Sequence, residues 1–184
     1  MDALDFKTAF MYPFNRAVGM LNILWALIPI FGWFALGGFG VRLMQEFSKG
    51  QFSDLPKFSF VEDMKLGFMM FIKSLPFLIA YVIVISMVTA LSTSIGGIIE
   101  LLVNLFILPI LAINFVNKET WISYFEFDVV KAVFSNVGDY LVAVVKSIAL
   151  FLVYLVMCII LVGIPALAFT PYIFLADFYG KNVR

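Results

Sequence analysis

Histidine is absent from this sequence, and cysteine occurs once, at Cys158. The first absence removes the commonest side chain for acid–base catalysis and metal ligation near neutral pH. The second excludes a disulfide framework and any cysteine-based metal site within one chain. Charge is scarce too. Twelve basic and twelve acidic residues make up 13% of the 184 residues and cancel to zero net charge. No long-range attraction to nucleic acid or to an acidic partner follows from that balance. The polar residues that remain are too few to coat a water-soluble domain of this size. What is there is apolar: 64% of the residues are hydrophobic, 22 are Phe, and the mean hydropathy is +1.07. These values exclude disorder and point to an integral membrane protein with one domain over 1–184. The opening Met1-Asp2-Ala3-Leu4-Asp5 lacks a basic flank before a short apolar stretch, so no cleavable signal peptide is expected.

A helix needs about 20 apolar residues to cross the hydrocarbon layer. Uncharged runs cover 17–41, 74–99, 101–117 and 147–176. The polar, Gly-rich Ser92-Thr93-Ser94-Ile95-Gly96-Gly97 divides the middle runs, and Gly163-Ile164-Pro165 divides the last. The pattern predicts an all-α polytopic membrane helical bundle of about five segments, at 20–41, 66–91, 97–116, 140–161 and 163–179. Two polar links join them, 42–65 and 117–139. In the second, Ile122, Phe125, Val129 and Val133 recur at three- and four-residue steps, which predicts an amphipathic helix on the membrane surface. Arg42, Lys49, Lys57 and Lys65 lie in the first link, Lys118 and Lys131 in the second, and no cation in the 92–97 turn. The positive-inside rule then places a multi-pass protein in the cell membrane, with both long links and the C-terminus cytoplasmic. Lys7 and Arg16 fit less well if 20–41 spans. They fit if Pro29 and Gly32 make that segment a re-entrant hairpin, and both forms stand at this point.

Two halves of the chain are alike. Leu27-Ile28-Pro29-Ile30 resembles Ile107-Leu108-Pro109-Ile110, Lys65-Leu66-Gly67-Phe68 resembles Lys131-Ala132-Val133-Phe134, and Lys73-Ser74 resembles Lys146-Ser147. Val162-Gly163-Ile164-Pro165 opens like a third Pro-containing copy. The halves would form a parallel repeat.

Ionisable groups inside membrane segments are the first functional candidates because their burial is costly. They are Lys73, Glu100, Lys146 and Asp177. Lys73 and Lys146 are placed to snorkel to the headgroups, and Glu100 lies just past the 92–97 turn. A sharper expectation pairs Asp177 with Lys73 or Lys146. Asn104 and Asn114 are candidates for hydrogen bonds between helices. Gly32, Gly37, Gly38 and Gly40 form a small-residue face for a neighbouring helix. Trp25, Trp33 and Trp121, with Tyr12, Tyr124, Tyr140, Tyr172 and Tyr179, fall mostly near segment ends, as an aromatic belt would.

Motifs for nucleotide, zinc or nucleophilic chemistry are missing, so neither cofactor nor enzymatic activity is expected. The leading functional expectation is an accessory or scaffold subunit that packs, in the lipid bilayer, against partner subunits of a larger membrane complex. Its rival is a small oligomeric transporter or channel using the Pro-broken helices and Asn104, which leaves room for a homo-oligomer. A membrane enzyme using acidic residues of the links (Glu46, Asp54, Glu62, Asp63, Glu119, Glu126, Asp128) ranks third.

Several short motifs in order carry a family resemblance. Phe6-Lys7-Thr8-Ala9-Phe10-Met11-Tyr12-Pro13-Phe14 is followed by Leu27-Ile28-Pro29-Ile30-Phe31-Gly32-Trp33, then Gly38-Phe39-Gly40-Val41-Arg42, then Asp54-Leu55-Pro56-Lys57-Phe58. Phe127-Asp128-Val129, Gly138-Asp139-Tyr140 and Phe178-Tyr179-Gly180 follow later. The series resembles a prokaryotic integral membrane protein family of unknown function (domain of unknown function four-zero-one-three). Phe39 stands where that family tends to have Tyr, and Lys57 where an acidic residue is usual. The resemblance implies a helical membrane fold and supplies no site.

Overall fold

The first helix begins where a side chain can satisfy its orphan N–H groups. Asp5 caps α1 (Phe6–Met11) by accepting from the N–H groups of Lys7 and Thr8. The computed structural model describes residues 4–183, and its regular elements are all helical. A 3-10 turn, Tyr12–Phe14, carries Pro13 in its first turn, where a missing N–H costs nothing. The short α2 (Ala17–Met20) runs into a 3-10 turn over Leu21–Leu27.

At Ile28-Pro29-Ile30 the chain turns back, with Ile30 at φ 67°, a costly conformation for a β-branched residue. There α3 (Phe31–Ser48) begins. Trp33 donates its indole N–H to the Ala26 carbonyl at 3.0 Å. A Cβ on Gly32 would sit 1.9 Å from the Trp25 carbonyl oxygen. The expected segment 20–41 is therefore broken rather than one helix. Pro29 supplies no N–H for helical bonding, and the break falls where the hairpin alternative put it.

Next, α4 (Phe60–Leu91) is a single helix with Pro76 inside it. Ser92 stops it and caps α5 (Thr93–Leu102) through its hydroxyl. A π-turn over Val103–Ile107 joins α5 to α6 (Leu108–Lys118). α5 folds back on α4 at Gly96, where a Cβ would meet Thr89 Cα at 2.7 Å.

The link after α6 is not one amphipathic helix. Glu119 is left-handed, a 3-10 turn covers Trp121–Phe125, and α7 (Asp128–Ser135) starts afresh. Tyr124 explains the break. Its ring stacks on both Phe77 and Phe115 at 4.3 Å, which anchors the turn, and burial pushes its phenol up to about 12. Of the expected apolar face, Val133 is buried and Ile122 exposed.

α8 (Val137–Met157) continues as a 3-10 turn through Ile160. The expected segment 163–179 splits at Thr170-Pro171-Tyr172 into α9 (Gly163–Phe169) and α10 (Ile173–Asn182), with Tyr172 at φ 59°. Residues 173–179 are all buried, and α10 packs against α3, α6 and α8. It fills the core instead of facing lipid.

Among the described residues, three rods are long and apolar enough to cross a membrane: Phe60–Leu91, Thr93–Lys118 and Val137–Ile160. Only 6%, 33% and 17% of their most apolar stretches are buried within the protein. The core draws on the inner faces of the second and third rods and is built around Tyr12, Phe39, Leu43, Phe47, Tyr140 and Phe169. α3 and α4 touch backbone to backbone. A Cβ on Gly38 would lie 1.8 Å from the Asp63 carbonyl oxygen, and one on Gly67 would lie 1.9 Å from that of Phe34. Gly37 and Gly40, on the same small-residue stretch, have nothing within 4 Å.

Pro109 and Pro165 lie in the first turns of α6 and α9, whereas Pro29 lies in the turn two residues before α3. The proposed halves differ elsewhere. Residues 65–68 and Lys73 share the unbroken α4, whereas 131–134 belong to α7, which breaks at Asn136 before α8.

Candidate functional site

The polar side chains gather in four places, each at a junction of helices. The most buried charge is Asp63, in the first turn of α4, with its side chain 1% exposed. Arg42 of α3 grips it at both oxygens, Nε at 2.6 Å and Nη2 at 2.7 Å. Asp63 also accepts from the N–H of Ser59 at 2.8 Å, and Arg42 donates a second bond from Nη2 to the Lys57 carbonyl. A bidentate pair with its remaining lone pair satisfied is the form in which a buried carboxylate is tolerable.

Asn114, on α6, is the second centre and is fully buried. Its Nδ2 donates to the Ser123 carbonyl and to Glu126 Oε2, and its Oδ1 accepts from the Tyr179 hydroxyl of α10 at 2.8 Å. Lys118 pairs with Glu126, and that ammonium, with the Asn114 amide, holds the carboxyl below its ordinary range. Gln45 donates to the Val116 carbonyl and Glu119 Oε1, and Lys73 donates to the Glu119 carbonyl at 2.7 Å. A polar cavity of about 560 Å³ opens here, lined by Gln45, Lys49, Asn117, Lys118, Glu119 and Tyr179 among others.

Asp177 and Lys146 form the third. They do not pair with each other, nor does Asp177 pair with Lys73. Asp177 instead pairs with Lys181 one turn on, at 2.6 Å, and accepts from the Leu4 N–H at 3.0 Å. Lys146 donates to the Leu4 carbonyl at 2.9 Å. Two opposite charges thus hold the two ends of one residue's backbone. A cavity of about 560 Å³ lies beside them. Lys73 and Lys146, expected to snorkel, are both bonded within the chain. Each ammonium bonds a backbone carbonyl of a neighbouring segment, because the link after α6 and the N-terminal segment lie within reach.

The fourth place is the α4–α5 hairpin. Glu100 is half-buried there, and Asn104 is exposed in the π-turn, accepting from the Tyr81 hydroxyl at 2.9 Å. Five residues after Asn104, Pro109 has no N–H to offer the Leu105 carbonyl. The Tyr140 hydroxyl of α8 fills that vacancy at 2.5 Å.

Tyr12 and Tyr140 are fully buried and Tyr179 nearly so, so these three are core residues rather than parts of an aromatic belt. Trp33 and Trp121 are exposed. Tyr12 sets its ring edge-on to Phe47 at 4.9 Å. Burial raises its pKa, and Glu46 and Asp54 raise it further. Glu46 itself is raised by loss of water, against the opposing pull of Arg42 and Lys49. Among the described residues no group of three acidic or cysteine side chains stands close enough to hold a metal ion.

Taken together, these groups bond segments of the chain to one another. The model of a protein family of unknown function, DUF4013, matches residues 21–163. The chain belongs to that family. No curated protein and no solved structure matches it.

Within the DUF4013 stretch the family-like motifs have physical jobs. The Gly38-to-Arg42 exit supplies both the glycine contact with α4 and the cation for Asp63. The Leu55-Pro56-Lys57 link offers Arg42 the Lys57 carbonyl, so the side chain at 57, which is exposed, takes no part. Phe39 stands edge-on to Phe58 and Phe169, where a phenylalanine suffices. Tyr12-Pro13-Phe14 and Phe178-Tyr179-Gly180 lie outside the matched stretch. Sequence reasoning singled out Asn114 without finding Tyr179, Ser123 and Glu126 as its partners. It also missed Tyr140 as the partner of Leu105, although Pro109 signals an orphaned carbonyl four residues earlier.

Proposed function

We propose that this DUF4013 chain is a non-enzymatic, multi-pass protein of the cell membrane. Its long links and C-terminus face the cytoplasm, and it serves as an accessory or scaffold subunit of a larger membrane complex. One observation supports the reading above others. Asp63, Lys73, Lys146 and Asn114 are engaged inside the chain, whereas the three apolar rods keep most of their surface outside it. Such a surface suits lipid and partner helices, which offer close packing and few polar demands. The acidic links are poor candidates for lipid hydrolysis, because Asp63 is held by Arg42, Glu126 by Lys118 and Asp128 by Lys131.

Gentle solubilisation from native membranes tests this. Unrelated membrane subunits should co-purify in fixed stoichiometry. A chain that purifies alone and carries solute flux in proteoliposomes would establish the transporter instead. A chain that stays monodisperse in buffer without amphiphile would remove the membrane reading altogether.

A further inference from the structure

We infer that the uncharged stretch 17–41 is a re-entrant hairpin, with its apolar tip among the acyl chains of the leaflet nearest the 42–65 link. The N-terminal segment then lies on the same side as that link. The inference rests on the membrane reading above. Its first support is where the two ends of the stretch are held. Arg16 donates to the Leu55 carbonyl at 3.3 Å, and Arg42 donates to the Lys57 carbonyl at 2.9 Å. Two residues of chain separate those acceptors by at most about 7 Å. A stretch that crossed would hold its flanking charges about 30 Å apart.

The second support is depth. α3 and α4 run antiparallel, with Gly38 against Asp63 and Phe34 against Gly67. Phe34 also meets Phe71, ring to ring, at 5.6 Å. That register sets the Ile28-Pro29-Ile30 turn beside Ser74, and Ile30 and Ser74 line one groove. From Ser74, α4 runs on to Leu91, about 26 Å of helix at about 1.5 Å per residue. α5 and α6 descend beside that stretch, Gly96 against Thr89 and Asn104 against Tyr81. Phe115 and Val116 pack on Met70, so α6 reaches its charged end, Lys118, near the level of Gly67. The hairpin tip lies two turns deeper, about 10 Å, which is how far an interfacial element buries its apolar side. Leu24, Leu27, Ile30, Phe31 and Trp33 are each more than half exposed there, and Phe68 and Ile72 of α4 continue the same apolar surface. Both termini belong to the side of the links. Leu4 is bonded by Asp177 and Lys146, and Gly180 abuts the Ser48 carbonyl at the end of α3. Lys7 and Arg16 thereby join the other cations, opposite the 92–97 turn, which has none.

The test uses the full chain in sealed vesicles of known orientation, with Cys158→Ala to remove its single cysteine. Single cysteines replace exposed side chains one at a time: Lys7→Cys, Leu27→Cys, Lys57→Cys and Ile95→Cys. A membrane-impermeant maleimide should label Lys7→Cys and Lys57→Cys from one side and Ile95→Cys from the other. Leu27→Cys should react from neither side until detergent replaces the lipid. Labelling of Lys7→Cys from the Ile95→Cys side would overturn the hairpin in favour of a full crossing. Labelling of Leu27→Cys in intact vesicles would overturn the lipid contact. If Ile95→Cys also reacts from the Lys57→Cys side and an alkaline wash frees the chain, the membrane reading falls, and this inference with it.

Discussion

Replacing Gly38 by alanine adds one methyl group at the closest approach of two helices. The new carbon would lie 1.8 Å from the Asp63 carbonyl oxygen and 2.7 Å from the Gly67 nitrogen. Both are backbone atoms and cannot rotate away. An ordinary carbon–oxygen contact is about 3.3 Å or longer, so α3 and α4 must part by more than about 1 Å. Overpacking of this kind costs about 1–3 kcal/mol. Parting also strains the Arg42–Asp63 pair one turn away, while alanine's helix preference offsets about 1 kcal/mol. Overpacking less that offset leaves about 0–2 kcal/mol, the strained ion pair adds to it, and the fall in Tm is on the order of 5 °C. Gly37→Ala is the control. It lies on the same helix with nothing within 4 Å, so only the helix preference operates and Tm should hold or rise. Both variants are heated in detergent, and the surviving monodisperse fraction is measured by size exclusion. If Gly38→Ala melts with or above Gly37→Ala, the backbone contact between α3 and α4 is refuted.

Other expectations follow from the polar junctions. Arg42→Leu strands a buried carboxylate and should cost about 3–5 kcal/mol. The double variant with Asp63→Leu should recover a good part of that in the same melting assay, and additive losses would contradict a coupled pair. Tyr140→Phe leaves the Leu105 carbonyl without its donor, at a cost of about 1–3 kcal/mol. In a Pro109→Ala background, where residue 109 regains an N–H, the loss should be smaller, and equal losses would deny the link between the two. Glu46→Gln tests a pH effect. Glu46 holds its proton more tightly when folded, so its ionised form lowers stability at neutral pH, and this penalty fades as pH falls through its raised pKa to the ordinary carboxylate range. The glutamine variant should therefore melt on the order of one degree higher at pH 7 and match the wild type in acid. A gain that persists in acid would mean the carboxylate charge is not the cause.

By itself, the sequence determined that this is an all-helical chain with rods long enough for a bilayer, and where several of them start and stop. That information is local. An uninterrupted apolar run satisfies its backbone polar groups only by closing helical bonds within itself. Ser92, Pro29 and Pro109 interrupt those bonds wherever the chain goes next. Tertiary structure decided which polar groups meet. Asp177 reaches Leu4 across 173 residues, and Lys146 reaches the same residue across 142. No periodicity records such a distance, because it depends on how rods pack and not on what each rod is. The fate of residues 163–179 was settled in the same way. They are apolar enough to face lipid, but Tyr172 turns the chain inward, and α10 enters the space between α3, α6 and α8. A hydrophobic helix is equally content in a protein core or in hydrocarbon, so only its neighbours choose between them.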